Sequence, residues 1–364
     1  LKIGFLLKDV GWYFQNEQGS HSFSCAKNSH PNIHGHIHVD PNHPRKLRFE
    51  DGTPLFWHGG KYLCIEKSFG TADRQELSYP ERLPTTNYVQ YAKQYLRDIA
   101  QHGLNGVLFK IQALPLNYDG FSMDLGFLQA LDDITFEAME QGVNMQMNLF
   151  DPWDKRKENV DWTQPTPDNA DWLFLEPWNV YSFQEETQFY LEYIVNRYAA
   201  FPNVTWEMFN EAEKLDVSAN TPTDVYRDFI RSIDPYDVLI GSSEMYTCWY
   251  GQDAAYAHMK FKCWPDDWDF MYWAVNNDRR YKPFYFQHDV PYVWNEIGPW
   301  ESSDYSEEQR QDWFRAQFWS ALTLGSAGIS EDHWTDIRTV PDRITDYHEC
   351  FIRFVDYLVD VNSL

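Results

Sequence analysis

The 364-residue chain is short of positive charge: 30 Lys and Arg stand against 55 Asp and Glu, a formal net charge of -25 at pH 7. Phosphate backbones are held by clusters of cationic side chains, so this balance excludes nucleic acid as an expected partner, and anionic membrane surfaces with it. The acidity itself reads as a well-solvated surface. Cysteine is sparse. Cys25, Cys64, Cys248, Cys263 and Cys350 lie far apart with no CxxC pair, which excludes a dense disulfide framework and leaves the redox compartment open. There is no run of about 18 apolar residues to span a bilayer, and the opening LKIGFLLKDVGW turns polar too soon for a signal peptide. A start inside a β-like stretch implies a natural chain that extends upstream, where an export signal could lie. Internal repeats at solenoid periods and low-complexity tracts are missing as well. So is a Gly-rich phosphate turn: the glycines of FWHGGKYL lack the dinucleotide spacing, and no cofactor is expected.

What is present is length, aromatic side chains and a repeated pattern. The chain suits one large barrel, or a domain of roughly 250 to 300 residues with an appendage, and the second reading fits its two halves better. From residue 54 onward, short β-like runs alternate with longer amphipathic stretches. Strands are expected at Leu55–His58, Gly106–Ile111, Val143–Leu149, Val204–Phe209, Val238–Ser242, Asp269–Trp273, Tyr292–Asn295 and Gly328–Glu331. Helices are expected at Asn87–His102, Leu125–Gln141, Phe183–Ala200, Asp224–Ile233, Ser306–Leu324 and Ile344–Asp360. Tyr88, Tyr91, Ala92, Tyr95, Leu96 and Ile99 recur at three and four positions, the stripe a helix lays on a sheet. Buried strands joined by crossovers long enough to reverse direction predict an α/β protein of the (β/α)8 TIM-barrel class over residues 51–364. Residues 1–50 alternate polar and apolar, carry prolines and run into the turn dipeptide Asp51-Gly52. They predict short strands and hairpins, part of a small β-sandwich that precedes the barrel.

In a parallel barrel the carboxyl ends of all strands open on one face, so a polar residue closing an apolar strand is a catalytic candidate. Asn210 and Glu211 close the fourth run in VTWEMFNEAE, and Glu296 closes the seventh in PYVWNEIGPWE, before Gly298 and Pro299 break the chain. Two carboxyl groups facing each other across a cavity can cleave an acetal. One donates a proton to the leaving oxygen and the other, ionised, attacks or stabilises the sugar carbon. A separation of about 5 to 5.5 Å excludes a water between them and implies a covalent glycosyl-enzyme with retained configuration. The Asn210 amide then has a hydroxyl beside the reacting carbon to bind. Glu207 alternates with Thr205 and Phe209 on one side of the strand, while Glu213 and Glu301 fall beyond the strand ends and read as rim residues.

These motifs carry a resemblance. FNEAE after the fourth strand and WNEIG after the seventh resemble the acid/base and nucleophile motifs of clan A glycoside hydrolases, the retaining (β/α)8 enzymes of the 4/7 superfamily. The segment HVDPNHPRKLRFEDGTPLFWHGG is similar to the junction where a small immunoglobulin-like domain precedes the barrel in clan members. The resemblance covers roughly residues 36–335, specific at the two Glu motifs and diffuse elsewhere. It implies Glu211 as general acid/base, Glu296 as nucleophile, Asn210 as partner of the 2-hydroxyl and Trp334, in SEDHW, as the aromatic platform under the sugar. A tyrosine or histidine near the end of strand six orients the nucleophile in the clan, and Tyr272 is the candidate for that role.

Other predicted strand ends add His58 after strand one, Lys110 after strand two, Trp153 after strand three and Tyr246 after strand five as substrate contacts. Sugars present apolar CH faces and hydroxyl edges, which aromatic platforms mixed with polar groups match. Aromatics in polar contexts, such as DPWDKRKENVDW and CWPDDWDFMYW, point to an oligo- or polysaccharide, an algal or plant wall galactan among them, and the resemblance implies that its linkage is β. Arg279, Arg280 and Lys282 form a basic patch that suits an anionic substituent or a plain surface loop. A polymer substrate implies an extracellular or periplasmic site of action; oligomeric state is not legible. Two rivals stand beside this reading. His34, His36 and His38 alternate and would share one face of a strand, a spacing compatible with zinc and a metal-dependent hydrolase. However, the later strand ends offer Glu and Asn rather than His, so no metal is expected. The second rival, a barrel that binds sugar without cleaving it, leaves both glutamates without a task.

Overall fold

The computed structural model describes residues 12–16, 19–23, 30–64, 85–111, 115, 121–150, 185–209, 223–244, 254–258, 291–297, 306, 308, 318–319, 322, 325–331 and 353–354. Strands β1 (Trp12–Asn16) and β2 (Gly19–Phe23) form an antiparallel hairpin. A three-stranded antiparallel sheet follows, built from β3 (Ile37–Asp40), β4 (His43–Phe49) and β5 (Pro54–Leu55). Between β4 and β5 the chain turns at Asp51-Gly52, where Gly52 takes φ +92°, a conformation glycine adopts without a Cβ clash. The short strands and hairpins expected of the amino-terminal segment are there; the small sheet ends at Leu55.

Eight parallel strands then close into a barrel: β6 (Trp57–Cys64), β7 (Gly106–Lys110), β8 (Asn144–Phe150), β9 (Val204–Phe209), β10 (Ile240–Glu244), β11 (Ala254–His258), β12 (Tyr292–Ile297) and β13 (Gly328–Glu331). Each strand pairs with its neighbours in sequence, and β13 pairs back onto β6. Helices α1 (Thr85–Gln101), α2 (Leu125–Gln141), α3 (Glu185–Tyr198) and α4 (Thr223–Ile233) supply the crossovers after β6, β7, β8 and β9. The last two expected helices lie largely outside the described residues.

Every residue of β7, β8 and β9 is buried, as in a parallel sheet covered on both faces. Val107, Phe109, Met145, Met147, Trp206 and Met208 join the cluster that contains the helix stripes, such as Tyr88, Ala92, Tyr95, Leu96 and Ile99 of α1. Their alternates, Leu108, Lys110, Gln146, Asn148, Thr205 and Glu207, therefore face the barrel axis. Helix α2 begins where the Asp124 carboxylate accepts the Phe127 N–H at 3.1 Å and ends at Gly142, φ +74°. Guanidinium forks join the helices: Arg97 to Glu137 at 2.7 and 2.8 Å, and Arg197 to Asp132 at 2.9 and 2.5 Å.

Two strands depart from expectation. Strand one was expected at Leu55–His58; Leu55 pairs with Leu47 in the small sheet, and the barrel strand runs from Trp57 through Gly59-Gly60 to Cys64. The glycines are not breakers here. A Cβ at Gly59 would collide with Ser330, and one at Gly60 with the Tyr95 hydroxyl. The sixth strand is Ala254–His258, not Asp269–Trp273, which lies outside the described residues. AAYAH has none of the β-branched or bulky clustering that marks a strand locally; its ladder with Gly241–Glu244 on one side and Tyr292–Asn295 on the other fixes it.

The amino end of the barrel is closed by packing. Trp57, Leu239, Val293 and Ala327 from the barrel meet Ile37, Leu47 and Leu55 from the small sheet in one buried cluster. Glycines at 106 and 328 make room for Trp57, since a Cβ at either would overlap it.

Candidate active site

At the opposite end the strands finish in Cys64, Lys110, Phe150, Phe209, Glu244, His258, Ile297 and Glu331. Strand β9 stops at Phe209, so Asn210 and Glu211 are the next two residues of the chain; they lie outside the described residues. Glu296 is the penultimate residue of β12. Around the barrel β12 stands three strands from β9, nearly the full width of the ring. On β12, Trp294 aligns with Ile329 and Ile297 with Glu331, so three steps on one strand match two on its partner. The extra residue is a bulge at Asn295 and Glu296, a device that re-aims side chains at barrel rims. On the other flank Asn295 aligns with His258. His258 closes the sixth strand, the place where Tyr272 was expected. Tyr272, Trp153, Tyr246 and Trp334 are outside the described residues.

Lys110, expected to follow strand two, is the last residue of β7 and only 3% exposed. His58 corrects the reading of strand one. It is the second residue of β6, at the amino end of the barrel, because the strand continues for six residues beyond it. Its N–H donates to Asn105 Oδ1 at 2.8 Å, its carbonyl accepts from Asn105 N–H at 2.9 Å, and its ring meets Phe318 edge-on at 5.4 Å. These are structural contacts on the wrong end for substrate at the mouth. A cavity of about 300 Å³ lies at this end too, lined by Asn32, His34, Phe49, His58, Asn105 and Asn144 among others.

The alternating histidines part company. His34 Nδ1 bonds Asp51 at 2.8 Å. His36 Nε2–H donates to the Ala199 carbonyl at 2.9 Å and its ring stacks on Tyr236, 5.3 Å away. His38 is held below the usual imidazole range, by burial first and by the neighbouring His36. Strand β3 begins only at Ile37, so His34 does not share its alternation. Among the described residues no group of three His, Cys, Asp or Glu is disposed to hold a metal ion.

The sequence reading missed the polar interior. Asn148 and Glu207 are fully buried and, with Lys110, occupy one register level across β7, β8 and β9. One level below, Leu108, Gln146 and Thr205 align, and neither end of the Gln146 amide has a partner among the described residues. The signal was available: NMQMNLF and VTWEMF place polar side chains at every second position, which a doubly covered strand does only when it faces a polar interior. Alternation ends at the tips. Phe150 and Phe209, which strict alternation would turn inward, stack on each other at 5.4 Å and meet Tyr226 of α4.

No family model matches the chain, and no curated protein does. Solved structures do. A candidate glycoside hydrolase of Bacteroides vulgatus aligns over 93% of this chain at 15% identity and TM-score 0.60; the chain spans 64% of that protein's length. A family 5 mannosidase of Rhizomucor miehei aligns over 90% of this chain and 99% of its own, at 11% identity and TM-score 0.59. The β-mannanase of the blue mussel Mytilus edulis aligns over 87% and 96%, at 12% identity and TM-score 0.54. At such identities the likeness is one of fold, and the fold that this chain shares with these proteins is an α/β barrel.

Proposed function

We propose that this chain is a retaining β-glycoside hydrolase that cleaves a β-linked oligo- or polysaccharide by double displacement, on a (β/α)8 barrel of residues 51–364 preceded by part of an immunoglobulin-like domain. The observation that carries it is the pairing order of the closed sheet. Strand β9 ends one residue before Asn210-Glu211, and β12 carries Asn295-Glu296 at the same end of the barrel, three strands away. Fold neighbours described as glycoside hydrolases support the same reading.

In this mechanism the Glu296 carboxylate attacks the anomeric carbon while Glu211 gives its proton to the glycosidic oxygen, so the C–O bond breaks as the glycosyl ester forms. Water then enters, Glu211 takes its proton, and the ester is cleaved with net retention. The Asn210 amide binds the 2-hydroxyl, a contact that tightens as positive charge develops at the ring. Trp334 supplies the apolar platform, and Trp153 and Tyr246 extend it. His258, aligned with Asn295, takes the orienting role expected of Tyr272. The reaction draws on carboxyl chemistry alone. A polymeric substrate sets the site of action outside the cell or in the periplasm; among the described residues no helix is long and apolar enough to cross a membrane.

The test is a panel of purified polysaccharides, including galactan and β-mannan, the latter because the mussel neighbour is described as a β-mannanase. Reducing-sugar release is read for wild type, Glu211→Gln and Glu296→Gln. Wild type releases sugar from at least one β-linked glycan and both variants lose it. Turnover that survives both substitutions, or stops only with a chelator, overturns the reading.

A further inference from the structure

We propose that the cavity at the amino end of the barrel is a binding site for a small organic ammonium cation, separate from the proposed catalytic mouth. The cavity holds about 300 Å³, at the lower end of the range for small-molecule sites. It is built at a junction. Asn32, His34 and Phe49 come from the amino-terminal segment, Leu104 from the turn after α1, and Gln141 and Asn144 from the end of α2 and the start of β8.

Four polar side chains of the lining share one bias. Asn32 Nδ2 donates to the Glu140 carbonyl at 2.9 Å, Gln141 Nε2 to the Glu137 carboxylate at 3.0 Å and Asn144 Nδ2 to the Asn105 carbonyl at 2.8 Å. Carbonyls only accept, and Glu137 is ionised in its fork with Arg97, so each contact fixes which end of the amide is nitrogen. His34 Nδ1–H is likewise committed to Asp51 at 2.8 Å, which leaves Nε2 of the neutral ring as an acceptor. None of these four acceptors receives a hydrogen bond among the described residues. Asn144 is the strongest case: it is 3% exposed, and a buried acceptor left without a donor costs free energy. The field has the same sign. Gly103 and Gly142 put the cavity where α1 and α2 end, and helix carboxyl ends carry partial negative charge. No Lys or Arg is among the described residues that line it. Leu55 and Leu104 add apolar wall, and Phe49 an aromatic ring of the kind that attracts a cation. A ligand with a positive charge, several N–H donors and an apolar tail meets all of these features. An anion meets only acceptors, and a neutral alcohol brings one donor and no charge.

The test is ligand-observed saturation-transfer NMR on the whole chain at pH 8, above the ordinary imidazole range. The probes are phenethylammonium, its neutral counterpart 2-phenylethanol and its anionic counterpart phenylacetate. Phenethylammonium binds with a Kd on the order of 1 mM, as a ligand of this size does, and the other two bind at least about tenfold more weakly. At ten times its Kd it raises Tm by about 2 °C. Asn144→Leu weakens binding by about tenfold, and Gln141→Met, at the half-buried end of α2, by about threefold. Glu296→Gln leaves binding unchanged. No binding of phenethylammonium overturns the proposal, and so does equal binding of 2-phenylethanol, which marks an apolar pocket only. Binding that survives both Asn144→Leu and Gln141→Met, or that is lost in Glu296→Gln, puts the cation elsewhere and overturns it too. Where Asn144→Leu fails to fold, Gln141→Met decides. The measurement involves no turnover, so its outcome is independent of the glycosidase reading.

Discussion

The two ends of this barrel are built from the same strands and obey opposite rules. At the amino end Trp57 fills the axis, glycines at 106 and 328 yield space to it, and the small sheet caps the layer with Ile37, Leu47 and Leu55. Its polar groups are spent on backbone: Asn105 alone receives the His58 N–H and donates to the Phe56 carbonyl. Two residues along β7 from Leu108, the axis carries Lys110, Asn148 and Glu207 instead. The difference teaches where stability and chemistry divide. An apolar plug resists unfolding and can do nothing to a substrate, whereas buried charges weaken a core unless matched and are what a reaction draws on.

That division can be broken or sharpened by substitution. The largest expected effect is at the mouth: Glu211→Gln lowers kcat/KM by about 10²–10⁴, the usual share of general acid–base catalysis, with Tm within a few degrees of wild type. At the floor the pattern reverses. Trp57→Ala opens a cavity on the axis and costs about 3–5 kcal/mol in denaturant unfolding, while protein that remains folded keeps its kcat. Asn105→Ala, which strands the His58 N–H and the Phe56 carbonyl, costs about 1–3 kcal/mol by the same measurement. The smallest effect is one of pH. Burial acts to raise the Asp51 carboxyl, but hydrogen bonds from the Thr53 N–H and from His34 outweigh it and hold the pKa below the usual range. A depressed carboxylate stabilises the fold above its unfolded pKa, near pH 4, and that contribution is lost as pH falls through the folded value. Amide exchange in β4 and β5 therefore speeds up below about pH 4, and Asp51→Asn removes the transition.

Much of the barrel was readable because its signals are local. Helix α2 was predicted at both of its bounds, since Asp124 and Gly142 mark them in sequence as they do in space. Strand β9 was predicted from its apolar run, and with it the place where Asn210 and Glu211 leave the sheet. Other features failed for reasons that no window of residues contains. Strand one was placed at Leu55–His58, short of Gly59 and Gly60, because the Ser330 and Tyr95 side chains that require those glycines come from across the packing. Ala254–His258 is a strand only by virtue of its two neighbours. Glu207 was set aside as a flanking acid because its register with Lys110 emerges only when three strands are laid side by side.

The central claim is that Glu211 and Glu296 act on one glycosidic bond as proton donor and nucleophile. The most direct test is ¹H NMR of the first product formed from a cleaved β-linked substrate, read before mutarotation. The β-anomer is expected, because two displacements restore the starting configuration. First appearance of the α-anomer would require a water between the carboxylates and would contradict the nucleophilic role of Glu296.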